Sequence, residues 1–496
     1  MSMLTTLPTE LLSQILDYLD APDLARVSRV SARLHDVVTS SASLQYKFEL
    51  YQFDLEDGPY NNKSKAEKRM LLERYRKAWS ANPWKPSTSR AYPLMEGPLW
   101  ELCGGVFAQS KGRRLLDFTQ LPSHVRGIAE TNWVVTLDFD VADFCIDPSQ
   151  DLIAAVEVLD TSGNARMHLL RLQTGEKHPK ARRSSFDFEI PPHEDFGPTF
   201  NIRICGSYVA VLTRTGHALE ESFGMKFVII DWHLGAVKFS YLDMSVYSFV
   251  FLDSQYVLLG HDCYDLATDA STAGLTVADF TAGVGDDAKL TRAITFHCPN
   301  FADGWAIANL ELACDPSPKF HSNPITNAPF FVRRNQRIIS MKITAVDADW
   351  EHESTQDLFV FADTFLDRIR NAPLAVDETI PWEEWGTDNC CIMPAFVPSS
   401  VWCYPAYGTR VVSRERKRLI IYNFSRPAVS NNFHTDGGTL ITETTIRPTL
   451  FKDTVTTFLP FRKYSTQITV NSGDAVMINE DSVVVVKASV TVIQKK

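Results

Sequence analysis

The sequence predicts a mainly β protein with a small all-helical module at its amino-terminal end. Three observations carry that expectation. Apolar residues between Leu7 and Val38 recur at helical spacing. From about Leu99 onward, short runs rich in Val, Ile, Leu and Phe alternate with turns of Gly, Asp, Asn and Ser. Pieces of that second region also echo one another along the chain.

In the helical module, Pro8 suits a first helical turn, where its missing N–H has no partner to lose. Leu11, Ile15 and Leu19 recur at i, i+4 and i+8, and Leu12 and Leu16 widen the stripe. Asp23 stands where an N-cap or first-turn acid opens a second helix, followed by Leu24, Val27 and Val30. Leu34, Val37 and Val38 continue the pattern in a third. About forty residues are too few to bury this much apolar surface alone, so a partner or the rest of the chain must cover the remainder.

A polar break from Leu55 to Ser64 precedes a helical run from Lys63 to Trp79, in which Ala66, Met70, Leu71, Tyr75, Ala78 and Trp79 can share one face. From Lys63 to Lys77 there are seven basic residues against two acidic ones, read here as the solvated face of a connecting helix. Pro83 and Pro86 end it.

In the β region, stretches beginning at Asp151, Ser207 and Gln255 each start with a polar residue and run into a strand, 56 and 48 residues apart. Turn glycines close two of these units, Gly175 and Gly235, 60 residues apart. The pair Asp231-Trp232 is the aromatic–acidic dipeptide of WD-type repeats in reverse order. Roughly 400 residues in units of about 55 give some seven degenerate blades of a β-propeller, with six or eight also open. Closing such a ring requires the two ends of the domain to meet in one blade. The alternative is a pair of unrelated β-sandwiches.

Hydrophobic residues at 45% and charged residues at 22% are ordinary for a globular protein. A formal charge of −11 argues against nucleic acid as the main partner, since phosphate binding rests on clustered Lys and Arg. No apolar run approaches the roughly 18–20 residues that cross a bilayer, and the start lacks the pattern of a signal peptide. The nine cysteines are scattered apart from Cys390-Cys391, without CxxC spacing, and read as small core residues in a reducing compartment, cytosol or nucleus.

Chemistry is sparse. No P-loop, HExxH or GxSxG motif occurs. The glycine-containing stretch from Gly283 to Ala288 carries two acids and lacks a following helix, so it reads as a hairpin loop. His261-Asp262-Cys263 offers three metal-ligand types in a row, but adjacent residues rarely converge on one ion. No catalytic residue, cofactor or metal is therefore expected. Trp305, Trp350, Trp382, Trp385, Trp402, Tyr404 and Tyr407 are possible anchors of a recognition face, with packing between blades the commoner role for each.

The segment from Leu7 to Val38 resembles an F-box, the helical module that joins a substrate receptor to SCF-type ubiquitin ligases. Leu7-Pro8, Glu10-Leu11-Leu12, Ile15-Leu16, Leu19, Asp23-Leu24 and the stretch Val27 to Val30 carry the likeness. Leu34 departs from it, since many family members have Trp there, and a slightly looser third helix is expected. The resemblance implies binding of the Skp adaptor, and through it cullin, by Leu7, Pro8, Leu11, Ile15, Leu16, Leu19 and Leu24. It divides the chain into a three-helix F-box-like module at 1–54, a basic helical linker at 55–98 and a propeller-like domain at 99–496 that holds an unknown target protein. The combination is similar to a large set of fungal F-box proteins. On this reading the chain is a non-catalytic receptor that binds neither nucleic acid nor membrane. The alternatives are an F-box scaffold outside the ligase and a propeller enzyme with a helical cap.

Overall fold

The computed structural model describes residues 7–58, 61–80, 88–161, 163–191, 197–216, 223–241, 245–265, 270–282, 292–321, 326–334, 336–371, 378–395, 405–425, 429, 438–471, 474–487 and 490–494. Four short helices open the chain: α1 (Thr9–Leu16), α2 (Ala21–Val27), α3 (Ala32–Ser40) and α4 (Ala42–Gln52). A three-residue strand, Leu55–Asp57, and a longer helix, α5 (Lys65–Ser80), lead to a β-propeller. The fourth helix is an addition to the expected trio.

Six blades are cut from consecutive stretches of chain: Trp100–Thr136, Asp143–Glu189, Thr199–Tyr241, Val246–His297, Trp305–Pro394 and Ala406–Thr469. In the first three blades four antiparallel strands follow in chain order, the simplest arrangement for neighbours joined by short turns. The expected count of about seven units thus resolves into these six and one closing sheet built from both ends of the domain. In that sheet Ala475–Ile478, Ser482–Val486 and Val490–Gln494 are joined by Thr88–Tyr92, which pairs with the last strand from Thr88 opposite Gln494 to Tyr92 opposite Val490. Paired sandwiches are ruled out by this ring. Core packing runs from blade to blade: Leu102 and Phe107 of the first blade share a cluster with Ala475, Met477 and Val484 of the closing sheet.

The sequence echo has a structural meaning. Asp151, Ser207 and Gln255 occupy the turns that open the second strand of three successive blades, and Gly175 and Gly235 sit in the turns after the third strand with φ of 73° and 72°. Trp232 is fully buried, and its indole N–H donates to the carbonyl of Gly206 at 3.0 Å.

The fifth blade departs from the plain pattern. Between its first and second strands the chain leaves the blade, and residues 314–320 border the cavity lined by the first strands of the other blades. The excursion lies close against the turn glycines of other blades. A Cβ on Gly104 would stand 2.5 Å from the Phe320 ring, and one on Gly408 2.6 Å from Val332 Cγ1. Both glycines have positive φ, 57° and 59°. Buried Arg337 anchors the excursion, giving hydrogen bonds to the carbonyls of Leu252 at 2.6 Å and Pro316 at 3.4 Å.

The same excursion receives the amino-terminal elements. Leu55–Asp57 pairs antiparallel with Phe330–Val332, and α5 lays its inner face on the sixth blade and the closing sheet. The buried face of α5 is rotated from expectation. Lys68, Leu72, Tyr75, Ala78 and Trp79 are interior, whereas Ala66 and Met70 are exposed. Lys68 turns inward because Asp57 and the Gly58 carbonyl receive its ammonium at 2.7 and 3.3 Å. The basic run is largely balanced: Lys65 and Lys68 pair with Asp57, Arg69 with Glu49, and Arg76 and Lys77 with Glu73. These pairs suit the connecting-helix reading.

At the seam, buried Arg126 of the first blade pairs with Glu480 at 2.7 Å and takes Asp481 through two guanidinium nitrogens. It also donates to the Phe330 carbonyl at 3.0 Å. Tyr75 donates to the Glu480 carbonyl at 3.2 Å, and Arg410 donates to Tyr75 Oη at 2.7 Å while lying 4.4 Å from the centre of the Trp79 ring. Arg126→Ala would leave two carboxylates buried without their cation, a loss of about 3–5 kcal/mol. Arg166→Ala, which breaks an exposed pair with Asp187, is expected to cost under about 1 kcal/mol. Thermal melting of the two variants against the parent chain checks the contrast.

Candidate adaptor-docking face

Serine and aspartate caps set the helices of the module. Asp20 accepts the Asp23 N–H at 2.8 Å to open α2, and Ser31 accepts the Leu34 N–H at 3.3 Å to open α3. Ser41 ends α3 and caps α4 at once, accepting the Leu44 N–H at 3.5 Å. Lys47 of α4 reaches back to the carbonyls of Asp17 and Leu19, fixing the turn between α1 and α2.

Inside lies a small complete core: Leu12, Leu16, Leu24, Leu34, Val37, Val38 and Leu44, with Leu7, Leu19 and Val27 at its margin. The residues expected to meet the adaptor therefore divide. Leu16 and Leu24 face this core, with 2% and 0% exposure. Leu7 and Leu19 are half-buried. Pro8, Leu11 and Ile15 are exposed. Leu34, in the position where many F-boxes carry Trp, is 4% exposed and packs with the other core leucines.

One surface residue escaped the sequence reading. Tyr18, 92% exposed, stands in the turn just after α1, three residues past exposed Ile15, and adds to the exposed apolar surface of Pro8, Leu11 and Ile15. Its signal in the sequence is its spacing, three residues past Ile15. Val30, 73% exposed, stands in the turn between α2 and α3. This apolar surface survives although the module's core is filled and its far side is covered. Tyr46 and Leu50 of α4 join Tyr75, Leu72 and Phe330 in the cluster shared with the propeller.

The charged groups of the mount are paired and hydrogen-bonded around Asp57. Burial works against the charge of Asp57, but hydrogen bonds from Lys65 and Lys68 hold its carboxyl below the usual range. Burial and the neighbouring Asp57 push the Tyr46 phenol upward, so it remains a donor to Asp57 and to the Pro329 carbonyl, both at 3.0 Å.

The other candidate residues that the structure describes are spread over the fourth, fifth and sixth blades. His261 bonds Thr276 at 2.6 Å, while Asp262 accepts from Ser271 at 2.8 Å. Among the described residues no group of three or more His, Cys, Asp and Glu side chains is placed to hold a metal ion. The stretch Gly283 to Ala288, Trp402 and Tyr404 lie outside the described residues. Trp382, Trp385 and Tyr407 are buried, Trp305 is half-buried and Trp350 is exposed. On the propeller axis, Glu101, Asp147, Arg203 and Asp315 converge with Cys103, Cys145 and Cys314 on a cavity of about 40 Å³. That is room for a water molecule or two, too little for a substrate. No helix among the described residues is long and apolar enough to cross a membrane.

Residues 4–48 match the F-box-like family, so the chain carries an F-box-like domain followed by a β-propeller. No curated protein matches the chain. Among solved structures, an apocarotenoid oxygenase from Synechocystis in cobalt-substituted form is similar at 11% identity and a TM-score of 0.27, over 55% of this chain and 60% of that one. Hydrazine synthase from Kuenenia stuttgartiensis is similar at 9% identity and a TM-score of 0.30, over 60% of this chain and 84% of that one. The chain thus spans about 60% of the oxygenase's length, and scores this low carry no argument about what it does.

The module's inner and outer leucines separate by experiment. Leu12→Ala removes a side chain from the filled core and is expected to cost about 2–5 kcal/mol, opening residues 7–52 to limited proteolysis. Leu11→Ala, on the surface, leaves the cleavage pattern of the parent chain.

Proposed function

We propose that this chain is the substrate-recognition subunit of an SCF-type ubiquitin ligase. The observation that carries the reading is the exposed apolar stripe Pro8, Leu11, Ile15 and Tyr18 on an F-box-like domain whose own core is already complete. Such a stripe is a docking surface for another protein's apolar groove or helix. The Skp adaptor is the partner F-box domains generally bind, and cullin would follow through it. Leu7 and Leu19 border the stripe; Leu16 and Leu24 act from behind, by holding α1 and α2 in place.

The propeller would hold the target protein. Its contribution to ubiquitin transfer is positional: a bound target lysine is kept at high effective concentration near the charged conjugating enzyme. No residue of this chain performs a bond change in that scheme. The cytosol or nucleus is the matching compartment, in keeping with eight unpaired cysteines among the described residues.

Co-expression with the Skp adaptor, followed by pull-down and gel filtration, tests the reading. A one-to-one complex is expected, and Leu11→Asp with Ile15→Asp should abolish it while leaving the propeller folded. The pair Leu7→Ala and Pro8→Ala should weaken it in the same way. A chain that stays monodisperse and ignores the adaptor would overturn the assignment. Turnover of captured partners in a cycloheximide chase, with and without the protein, separates a ligase receptor from a scaffold.

A further inference from the structure

The second blade carries a basic loop. Residues 172–184 join the strands Asn164–Arg171 and Ser185–Glu189 and read Leu-Gln-Thr-Gly-Glu-Lys-His-Pro-Lys-Ala-Arg-Arg-Ser. Lys177, Lys180, Arg182 and Arg183 are all exposed, and among the described residues none of the four is in an ion pair. Glu176 is the one acid of the loop, and Arg171 before it is already matched with Asp151 at 2.9 Å. In a chain of net charge −11, this is a local reversal of sign.

The loop is pinned, not loose. Buried His178 is its anchor: Nε2 donates to the Gln150 carbonyl at 3.0 Å, and Nδ1 accepts the Lys180 N–H at 3.2 Å. The His178 N–H donates to the Leu169 carbonyl at 3.0 Å, and the Ala181 N–H to the His178 carbonyl at 3.1 Å. The imidazole also meets fully buried Trp232 of the third blade edge-on, 4.9 Å between ring centres. Cations held on a fixed backbone lose less freedom when a ligand orders them.

The neighbouring turn of the third blade, between Phe223–Asp231 and Ala236–Tyr241, completes the surface. The Arg182 N–H donates to the Trp232 carbonyl at 3.2 Å. A Cβ on Gly235 would stand 3.1 Å from Arg182 Cβ and Cγ, so the stem of that arginine lies along the turn. Beside it Leu234 and Val237 are 63% and 47% exposed. Loop and turn both run at each end into described strands.

Four cations call for an anion, and two neighbouring guanidinium groups suit carboxylates, which they can take bidentately. Leu234 and Val237 give an aliphatic side chain something to cover. Neither segment exposes a Phe, Tyr or Trp on which a nucleic-acid base could stack, so the mixture favours protein. We infer that this surface, shared by the second and third blades, binds an acidic segment of a protein partner, with Asp or Glu side chains on Arg182 and Arg183 and an apolar one on Leu234. Calling that partner a ligase target rests on the receptor reading above. The binding itself does not, so failure to capture the adaptor and failure to bind peptide are separate results.

Fluorescence anisotropy of the full-length chain with a fluorescein-labelled Glu-Leu-Glu-Glu-Leu-Glu peptide tests the inference. Saturable binding is expected, with at least a tenfold loss of affinity in Arg182→Gln/Arg183→Gln, which keeps the stems against Gly235. Lys111→Gln/Arg113→Gln, the same charge change at exposed positions of the first blade, should leave affinity unchanged. The inference is overturned if binding does not saturate, if the two double variants lose affinity equally, or if the Gln-for-Glu peptide binds as well. An oligouridylate of equal charge that binds more tightly than the peptide would overturn it in favour of nucleic acid.

Discussion

Arg126 is the group on which the arrangement of this protein depends. One guanidinium joins three parts of the chain that are far apart in sequence. It belongs to the first blade, pairs with both acids of the turn that closes the ring, and donates to the excursion on which the amino-terminal strand is paired. Tyr75 of α5 bonds the same turn through the Glu480 carbonyl. Burying three charges together carries a large desolvation cost, offset only when every member is paired and hydrogen-bonded, as these are. Ring closure and attachment of the F-box are therefore one structural event, not two.

That coupling changes what the segment between F-box and propeller is. It is not a tether. Its strand is in a ladder with Phe330–Val332, its helix buries Leu72, Tyr75 and Trp79, and α4 joins the same cluster through Tyr46 and Leu50. A module seated this way presents its exposed stripe in one orientation relative to the blades. For a receptor that acts by position, such orientation is worth more than reach, because effective concentration falls as a connection loosens. The fifth blade makes two excursions. One carries the mount through Phe330–Val332; the other adds the strand Glu378–Ile380 to the fourth-blade sheet.

The propeller and the F-box were legible in the sequence for a shared reason: both are local patterns repeated. Helical spacing from Leu11 to Leu19, an acid at Asp23, and turn–strand phrases at Asp151, Ser207 and Gln255 depend on neighbours a few residues away. Even ring closure by the chain ends was foreseeable, since an open blade leaves unpaired strand edges. What misled the reading was also local. The apolar residues of α5 include Ala66 and Met70, which stay exposed, and only the approach of Asp57 makes the charged Lys68 an interior residue. Leu16 and Leu24 shared the apolar character of Leu11 and Ile15, and nothing in spacing alone says which leucines a fourth helix will cover.

By itself, then, the sequence determined the class of each part: an F-box-like helical module, a connecting helix and a ring of degenerate β units. These follow from periodicity and turn chemistry, which act over a few residues. Only the tertiary structure decided how the parts are joined and which surfaces remain. The pairing of Leu55–Asp57 with Phe330–Val332 spans more than 270 residues of chain, and the Arg126 network spans more than 350. The strand Glu378–Ile380 joins the fourth-blade sheet only because an excursion of the fifth blade lays it parallel to Ala293–His297. Contacts of that separation leave no period in a sequence; they appear when the ring closes and packing selects which side chains are covered.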